Sequence, residues 1–353
     1  METKTKSIVL TGGGTAGHVM PNLALVPELK KHFDKIYYFG TSGIEKEILK
    51  SHPEIEFVEI PAVKFRRSFT PEIFALPFKL MKAIKKTKQL LKQKNPDIIF
   101  SKGGYVAIPV AISGKKLKIP VISHESDLSM GLANKIILHY ANVLCTSFEA
   151  TATKKKTVHT GSPVRPEILK GDGKRERQKL GFDSRPVVLF FGGSIGAMAI
   201  NKLVWNNIQT LSKKYNIVHI VGKGNINSRI NIQNYKQFEF VSNIQDFFDM
   251  SDIAVCRSGA NTLFELMTVG LPALLIPLPK LESRGDQIDN ANHFSRKGCF
   301  EVLEQEKATN QKFVQMIDQT YSKKDTLKKN MSSIQKDSAN QKIVQIILSN
   351  LKT

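Results

Sequence analysis

The chain has 353 residues, 41% of them hydrophobic and 24% charged, a balance that is typical of folded proteins and excludes a disordered chain. A chain of this length exceeds what a single hydrophobic core usually supports, so two domains are expected. The net charge of +21 indicates an anionic partner. No zinc finger or aromatic-rich RNA-binding signature accompanies the charge, so nucleic acid is not predicted as that partner.

Cysteine usage and hydropathy set further limits. Cys145, Cys256 and Cys299 are odd in number and far apart, which predicts neither a disulfide framework nor a zinc site. The residues before the first apolar run do not resemble a cleavable signal. The most apolar stretch, 266–279, contains three prolines and is too short to span a bilayer, so a cytoplasmic protein is expected.

Continuous apolar runs bounded by turn residues predict buried parallel strands. In the first half these strands are predicted over 7–11, 35–39, 56–60, 97–101, 119–123, 142–146 and 156–160. In the second half they are predicted over 187–191, 217–221, 238–241, 253–257 and 273–277. Helical patterns separate the strands, so the fold class is α/β with two doubly wound domains. The domains are expected to join near 161–166, where two prolines interrupt regular structure.

The first strand runs into the glycine-rich stretch TGGGTAGHVMPNLAL, residues 11–25. Its spacing Gly12-x-Gly14-x-x-Gly17 allows a tight turn and a close approach of the backbone to a phosphate. A dinucleotide site also needs an acidic residue at the end of the second strand, but Gly40-Thr41-Ser42 stands there. The loop therefore favours a phosphate-bearing ligand other than NAD or a flavin.

Two further glycine loops follow predicted strands. Residues 101–105 read Ser-Lys-Gly-Gly-Tyr, which alone is equally compatible with an ordinary strand-to-helix turn. Residues 191–197, Phe-Gly-Gly-Ser-Ile-Gly-Ala, repeat in the second half the order of strand, glycine loop and helix seen at residues 8–18. Ligands of such sheets bind beyond the carboxyl ends of the strands, so loops of both domains could face one cleft.

Seven motifs, taken in order, resemble those of glycosyltransferase family 28, in particular its peripheral-membrane enzymes that convert the lipid-linked muramyl-pentapeptide, lipid I, to lipid II. The motifs are Gly12-Gly-Gly-Thr-Ala-Gly-His18 with Pro21, Lys102-Gly-Gly-Tyr105, His124-Glu125, Gly161-Ser-Pro-Val-Arg165, Phe191-Gly-Gly-Ser-Ile-Gly-Ala197, Cys256-Arg-Ser-Gly-Ala260 and Asp286-Gln-Ile-Asp-Asn-Ala291. The resemblance covers essentially the whole chain. It implies a GT-B fold, in which two doubly wound Rossmann-like domains face a central cleft.

The resemblance also implies that each domain binds one of the two substrates. Residues 1–163 would bind the acceptor, undecaprenyl-pyrophosphoryl-MurNAc-pentapeptide, and the membrane, whereas residues 164–338 would bind the donor, UDP-N-acetylglucosamine. A C-terminal helix within 339–353 would cross back to the first domain. N-acetylglucosamine would pass with inversion to the C4 hydroxyl of the muramyl sugar, and neither a metal nor a cofactor is expected.

Donor binding is assigned by the resemblance to residues of the second half and the linker: Arg165, Ser194, Val241, Ala260, Asn261, Thr262, Glu265, Asp286 and Gln287. In these roles Arg165 and the backbone near Val241 would lie by the uracil, Glu265 would bind the ribose hydroxyls, and Gln287 would bind the sugar hydroxyls. The loop at 192–196 opens a helix, so its N–H groups and the Ser194 hydroxyl would meet the diphosphate as UDP leaves.

Two features of the sequence leave alternatives open in these assignments. Thr262-x-x-Glu265 is also the pattern of a capping box, which would only start a helix. Some members of the family have glutamine in place of Asp286, and asparagine in place of Asp127 in the first half.

Acceptor binding is assigned by the resemblance to two glycine loops and one carboxylate of the first half: Gly13, Gly14, Thr15, Ala16, Gly17, Gly103, Gly104, Tyr105 and Asp127. An inverting transfer needs a base for the acceptor hydroxyl, and His18 and Glu125 are the candidates. His18 stands where a helix N-terminus favours the neutral imidazole that can accept a proton. The alternative role for His18 is to cap the helix or contact a phosphate.

A basic face near 64–94 is expected to bind anionic lipids of the inner membrane. Residues 77–94 contain seven lysines and no acid, and Leu80, Met81, Ile84, Thr87, Leu90 and Leu91 keep helical spacing. Before them, residues 65–69 mix phenylalanine and arginine. The alternative is a helix with this apolar stripe in the core and a solvated lysine face. The expected location is peripheral, on the cytoplasmic face of the bacterial membrane.

Three other functions compete with lipid II synthesis. A related transferase acting on diacylglycerol is the nearest, although His124-Glu125 and the loop at Asp286-Gln287 favour the muramyl acceptor. A UDP-sugar epimerase of similar two-domain build would need neither a lipid acceptor nor a basic face. A NAD-dependent oxidoreductase is the third, and a cofactor titration would distinguish it.

Overall fold

The computed structural model describes residues 5–63, 75–193, 196–334 and 338–351. Ser194 and the aromatic and basic stretch 65–69 lie outside these ranges. The chain divides into two compact units. The first contains residues 1–165 together with 338–353, and the second contains residues 166–337.

The first unit is built on a seven-stranded parallel sheet. Its strands, in chain order, are β1 (Ser7–Thr11), β2 (Lys35–Gly40), β3 (Glu56–Glu59), β4 (Ile98–Ser101), β5 (Val121–Glu125), β6 (Val143–Thr146) and β7 (Thr157–His159). In space their order is β3-β2-β1-β4-β5-β6-β7, and every neighbouring pair is parallel. The central strands are fully buried, which explains their unbroken apolar sequences.

Helices cover both faces of this sheet. They are α1 (Ala16–Leu23), α2 (Val26–Leu29), α3 (Ile44–Leu49), α4 (Leu76–Lys94), α5 (Ala107–Lys116) and α6 (Leu132–Ile137), together with the last helix of the chain. One face packs Ile8, Leu10 and Phe100 against α1 and α2, and the other packs Val9 and Ile99 against α5. Two separate apolar cores therefore sandwich one sheet, as in other doubly wound folds.

The second unit has a six-stranded parallel sheet. Its strands are β8 (Val187–Phe191), β9 (Asn216–Ile220), β10 (Tyr235–Phe238), β11 (Ile253–Cys256), β12 (Ala273–Leu275) and β13 (Glu301–Val302). Their spatial order is β10-β9-β8-β11-β12-β13. The helices are α7 (Gly173–Lys179), α8 (Met198–Lys214), α9 (Ile244–Met250), α10 (Ala260–Val269), α11 (Asp286–Arg296), α12 (Asn310–Ser322) and α13 (Lys324–Ile334).

The final helix, α14 (Ala339–Ser349), belongs to the first unit. Its Ile343, Val344 and Ile347 are buried in the core that includes α1 and α2. Asn340 accepts a hydrogen bond from the Val164 N–H (3.1 Å) and donates to the Val164 carbonyl (2.9 Å). This amide therefore joins the segment where the chain leaves the first unit to the segment where it returns.

The observed strands agree with the predicted parallel α/β architecture, with differences at the edges. Strands β1 and β8 have the predicted ends. The strand predicted over 238–241 lies three residues earlier, over Tyr235–Phe238, because Lys236 and Gln237 at its centre interrupt the apolar run. Strand β13 has only two residues and was missed, since a run that short has no measurable periodicity.

Candidate active site

Both candidate ligand sites lie at the topological switch point of a sheet. In the first unit the strand order reverses between β1 and β4, and in the second it reverses between β8 and β11. A crevice forms at the carboxyl ends of the strands at such a point, and ligands bind there. The glycine loops after β1 and β4 border the first crevice, and the loops after β8 and β11 border the second.

The two glycine loops of the first unit touch each other. Gly104 has a φ of +77°, and a Cβ at this position would meet the Gly13 carbonyl oxygen. Gly14, with a φ of +87°, lies under the Tyr105 ring, which a Cβ would approach to 2.6 Å. The structure thus brings together the predicted acceptor residues 13–17 and 103–105, and it leaves no room for a side chain between the loops.

His18 is the third residue of α1, and its ring is oriented from the loop. The ring Nδ1 lies 3.0 Å from the Thr15 hydroxyl, and Thr15 is the N-cap residue of the helix. The imidazole is half-buried beside the first glycine loop. If Nδ1 carries the hydrogen and donates to Thr15, the lone pair lies on Nε2, which is the form that a general base requires.

Glu125, the other candidate base, has a different environment. Its carboxylate is buried and accepts hydrogen bonds from the N–H of Asp127 (3.1 Å), the N–H of Gly131 (2.9 Å) and the Asn134 amide (3.0 Å). Three donors satisfy the charge and fix the segment 125–131 ahead of α6. This geometry is that of a carboxylate that holds a loop, and it favours His18 as the base.

In the second unit the glycine loop after β8 is held against β9. Gly196 has a φ of +79°, and a Cβ there would collide with the Val221 carbonyl. The same carbonyl accepts a hydrogen bond from the Asn201 amide of α8 (2.9 Å). The loop therefore opens directly into the N-terminus of a 17-residue helix, where free N–H groups favour an anion.

Helix α10 begins three residues before the capping-box interpretation requires. Its N-cap is Gly259 and its first residue is Ala260, so Thr262 lies inside the helix and does not cap it. The capping-box interpretation of Thr262 and Glu265 is therefore wrong. No acidic residue stands in the first turn, and Glu265 lies half-buried one turn further on.

Contacts between the loops that follow β11 and β12 and the start of α11 position Gln287. The Ser258 hydroxyl donates to the Gln287 carbonyl (2.8 Å), and the Gln287 side-chain oxygen accepts from the Leu278 N–H (3.1 Å). That second bond fixes the amide so that its NH2 group is the remaining donor of the side chain. Arg257, which is buried, donates to the carbonyls of Ile276 (2.9 Å) and Pro277 (3.2 Å) and thereby holds the strand end after β12.

Three other predicted donor residues take individual positions. Asp286 is the first residue of α11, with its carboxylate 3.7 Å from the Arg284 guanidinium. Val241 follows β10 at the same edge of the sheet as the other loops. Arg165 ends the first of the two segments that form the first unit, and its assignment to the uracil stays a prediction.

A buried chain of hydrogen bonds lies behind the glycine loop that follows β8. His219 lies 3.0 Å from the Asn201 side-chain oxygen through Nε2 and 2.9 Å from the Tyr235 hydroxyl through Nδ1. The Asn201 NH2 group already donates to Val221, so its oxygen accepts from Nε2–H and Nδ1 accepts from Tyr235. The Trp205 indole in turn donates to Tyr235 (3.1 Å).

The buried hydrogen-bond chain around His219 predicts a loss of stability in mild acid. Burial lowers the pKa of His219 to about 3, whereas an unfolded histidine titrates near 6.5. The unfolded chain therefore binds more protons below pH 6.5, and the free energy of unfolding should fall by roughly 1.4 kcal/mol per pH unit. Urea unfolding between pH 7.5 and 5.0, followed by the fluorescence of Trp205, the only tryptophan, measures this slope.

His219→Gln should flatten that slope. His293→Gln is the matched control in the same unit, because its ring is only half-buried, although burial and the nearby Lys297 also lower its pKa. If His219→Gln reduces the slope no more than His293→Gln does, the assignment is contradicted.

Helix α4 presents two distinct faces. Leu80, Ile84, Leu90 and Leu91 pack into the core over the sheet. Phe78 is 71% exposed, and Met81, which the apolar stripe placed in the core, is 60% exposed. That part of the alternative interpretation, in which the whole apolar stripe packs in the core, is wrong, since Met81 lies with Phe78 on the face that carries most of the lysines. Across the described ranges, no helix is both long and apolar enough to cross a membrane.

Sequence reasoning did not assign roles to several buried polar residues that hold these loops, chiefly Lys102, His124, Arg257 and Ser258. Each stands inside a motif that the sequence does display. For Lys102 and Arg257 the sequence does contain a signal, because each is a basic residue directly after an apolar strand, where burial of the charge without a partner would be costly.

Two doubly wound parallel sheets, each with glycine loops at its switch point, are the architecture of the GT-B fold. Solved structures share this fold at low identity, among them the glycosyltransferase of kitacinnamycin (TM-score 0.74, 13% identity, 99% of this chain and 100% of that chain). The crystal structure of MurG from Acinetobacter baumannii matches with a TM-score of 0.78 and 25% identity, covering 98% of this chain and 99% of that chain.

The chain belongs to glycosyltransferase family 28. Residues 8–145 match the N-terminal domain of that family and residues 187–346 match its C-terminal domain. A protein of Clostridium tetani named UDP-N-acetylglucosamine--N-acetylmuramyl-(pentapeptide) pyrophosphoryl-undecaprenol N-acetylglucosamine transferase is 44% identical over 335 residues, or 93% of both chains. A relative of the same name from Clostridium botulinum (strain Alaska E43 / Type E3) is 42% identical over 98% of both chains.

Proposed function

We propose that this protein transfers N-acetylglucosamine from UDP-N-acetylglucosamine to the C4 hydroxyl of the muramyl sugar in undecaprenyl-pyrophosphoryl-MurNAc-pentapeptide. The product is lipid II, a precursor in peptidoglycan synthesis. The observation that carries the proposal is a pair of glycine-lined crevices, one in each unit, in a chain 44% identical to a transferase of that name. Both substrates contain a diphosphate, and each crevice offers one diphosphate a helix N-terminus.

In this proposal the second unit binds the donor. The loop at 192–197 and the N-terminus of α10 surround the diphosphate, and their N–H groups stabilise the charge that grows as UDP leaves. Glu265 accepts from the ribose hydroxyls, and the Gln287 NH2 group donates to the hydroxyls of the transferred sugar. Ser194, Val241, Asn261, Asp286 and Arg165 complete the proposed donor set.

The first unit binds the acceptor in the same proposal. The N–H groups of residues 13–17 and 103–104 surround the lipid-linked pyrophosphate, and Tyr105 covers the loop. His18 removes the proton from the muramyl hydroxyl as that oxygen attacks the anomeric carbon, and the bond from that carbon to the UDP oxygen breaks on the opposite face. Glu125 holds the neighbouring loop.

Membrane attachment is part of the proposal. The exposed face of α4 combines Phe78 and Met81 with several lysines, a pattern that suits the boundary between anionic headgroups and acyl chains. The proposed location is peripheral, on the cytoplasmic side of the cell membrane, where the lipid-linked acceptor is accessible.

One assay tests the reaction. The purified protein is incubated with radiolabelled UDP-N-acetylglucosamine and lipid I, and label is counted in the lipid extract. Label should enter that extract with lipid I and should not when diacylglycerol replaces it. Transfer to diacylglycerol alone would instead favour the related transferase.

Donor binding gives a second test. Glu265→Ala should weaken UDP binding by roughly ten- to a hundredfold, the value of a hydrogen bond to a charged group, as measured by calorimetry. The melting temperature should change little, because Gly259 and not Thr262 caps α10. Asp289→Ala, which removes an exposed carboxylate from α11, is the matched control. Unchanged UDP affinity in Glu265→Ala would remove this residue from the donor site.

A further inference from the structure

Lys102 is a buried lysine at the centre of the first unit. It directly follows β4, its side chain is 2% exposed, and its Cβ packs beneath the first glycine loop at Gly12. Its Nζ lies 2.6 Å from His124 Nδ1 and 2.6 Å from the Ser126 hydroxyl. One amino group thus joins the end of β4 to the end of β5 and to the loop after it.

The hydrogen bonds define the direction of this chain. His124 Nε2 lies 2.9 Å from the Gly161 carbonyl, which can only accept, so Nε2 carries the hydrogen. Burial and the neighbouring Lys102 lower the pKa of His124 well below 6.5, so the ring is neutral and Nδ1 accepts from Lys102. Lys102 is therefore a donor to both of its partners.

Two carboxylates favour the charged form of this lysine. Burial lowers the pKa of Lys102 to about 7, while the charges of Glu125 and Asp127 act in the opposite direction. Glu125 is itself buried, and Asp127 is half-buried. Without the ammonium, this part of the molecule would hold two negative charges beside the loops that are proposed to bind a pyrophosphate.

We propose that Lys102 is a positioning residue that supplies the counter-charge for Glu125 and Asp127 and fixes the segment 125–131 for the acceptor. It acts through His124 and Ser126 and does not take part in the chemical step. The expected effect on the KM for lipid I rests on the proposed function, whereas the expected effect on the order of segment 125–131 does not.

The test compares Lys102→Met, which keeps the length of the side chain but removes the charge, with Lys102→Met/Asp127→Asn. The single variant should raise the KM for lipid I by roughly ten- to a hundredfold, the value of losing hydrogen bonds from a charged group, and leave the KM for UDP-N-acetylglucosamine unchanged. In the double variant the KM for lipid I should return much of the way to the parent value, because the carboxylate that has lost its counter-charge is then removed. This recovery relative to Lys102→Met is expected whatever Asp127→Asn does alone. Ser126→Ala, which removes one partner but no charge, should have a smaller effect.

Hydrogen exchange supplies a readout that does not depend on activity. The N–H groups of Asp127 and Gly131, which donate to Glu125, should exchange faster in Lys102→Met and regain protection in the double variant. If the parent protein transfers no sugar, the proposed function fails, but exchange still decides the role of Lys102. Equal protection in parent and Lys102→Met, or a double variant no better than the single one, would overturn the inference.

Discussion

Replacement of His18 by alanine is expected to lower kcat for lipid II formation by roughly a hundred- to ten-thousandfold, the usual contribution of a general base. The structure supports His18 because its ring is half-buried beside the first glycine loop and is held through Nδ1 by the Thr15 hydroxyl at 3.0 Å. UDP affinity should not change, since the proposed donor residues 192–287 lie in the other unit. Steady-state kinetics with both substrates saturating measure the loss.

Two variants separate the chemistry of His18 from its surroundings. Thr15→Val removes the hydroxyl that orients the ring and should cost much less than the loss of the ring itself. Glu125→Gln replaces an oxygen that accepts N–H groups by an NH2 group that cannot, so it should lower the melting temperature and the activity together. If Glu125→Gln remains stable but loses activity while His18→Ala keeps it, the base is Glu125.

The fold was predictable because strands covered on both faces are apolar throughout. Strands such as β1 and β8 are read directly from the sequence. The two edge strands of the second sheet are not, because β10 is partly polar and β13 has only two residues. The position of each glycine loop follows from the strand that precedes it. Their pairing in space does not, because it depends on the strand order.

The contacts inside the candidate site could not be predicted for the same reason. Lys102 meets His124 across two neighbouring strands, and the Arg257 guanidinium meets the Gln305 amide (2.6 Å) 48 residues further along the chain. No local spacing encodes such pairs. Thr262 shows the opposite failure: its local pattern matches a capping box, but the glycine three residues earlier already begins the helix.

Replacing the exposed lysines Lys82, Lys85, Lys86 and Lys92 of α4 by glutamine is expected to weaken binding to anionic vesicles on the order of a thousandfold at low salt. Each lysine near an anionic surface contributes about 1 kcal/mol. All four are exposed, as are Phe78 and Met81 of the same helix. Sedimentation with phosphatidylglycerol vesicles measures the loss, which should shrink as rising salt screens the charges.

The matched control removes the same charge from elsewhere. Lys202, Lys213, Lys312 and Lys329 are exposed lysines of the second unit, and their replacement by glutamine lowers the net charge of +21 by the same four units. If attachment depends on total charge, both quadruple variants lose binding equally; if it depends on α4, only the first does. Transfer to a short, water-soluble acceptor should survive in both, because the crevice residues are unchanged. Parent-like vesicle binding by the α4 variant would mean that its lysines are only a solvated helix face.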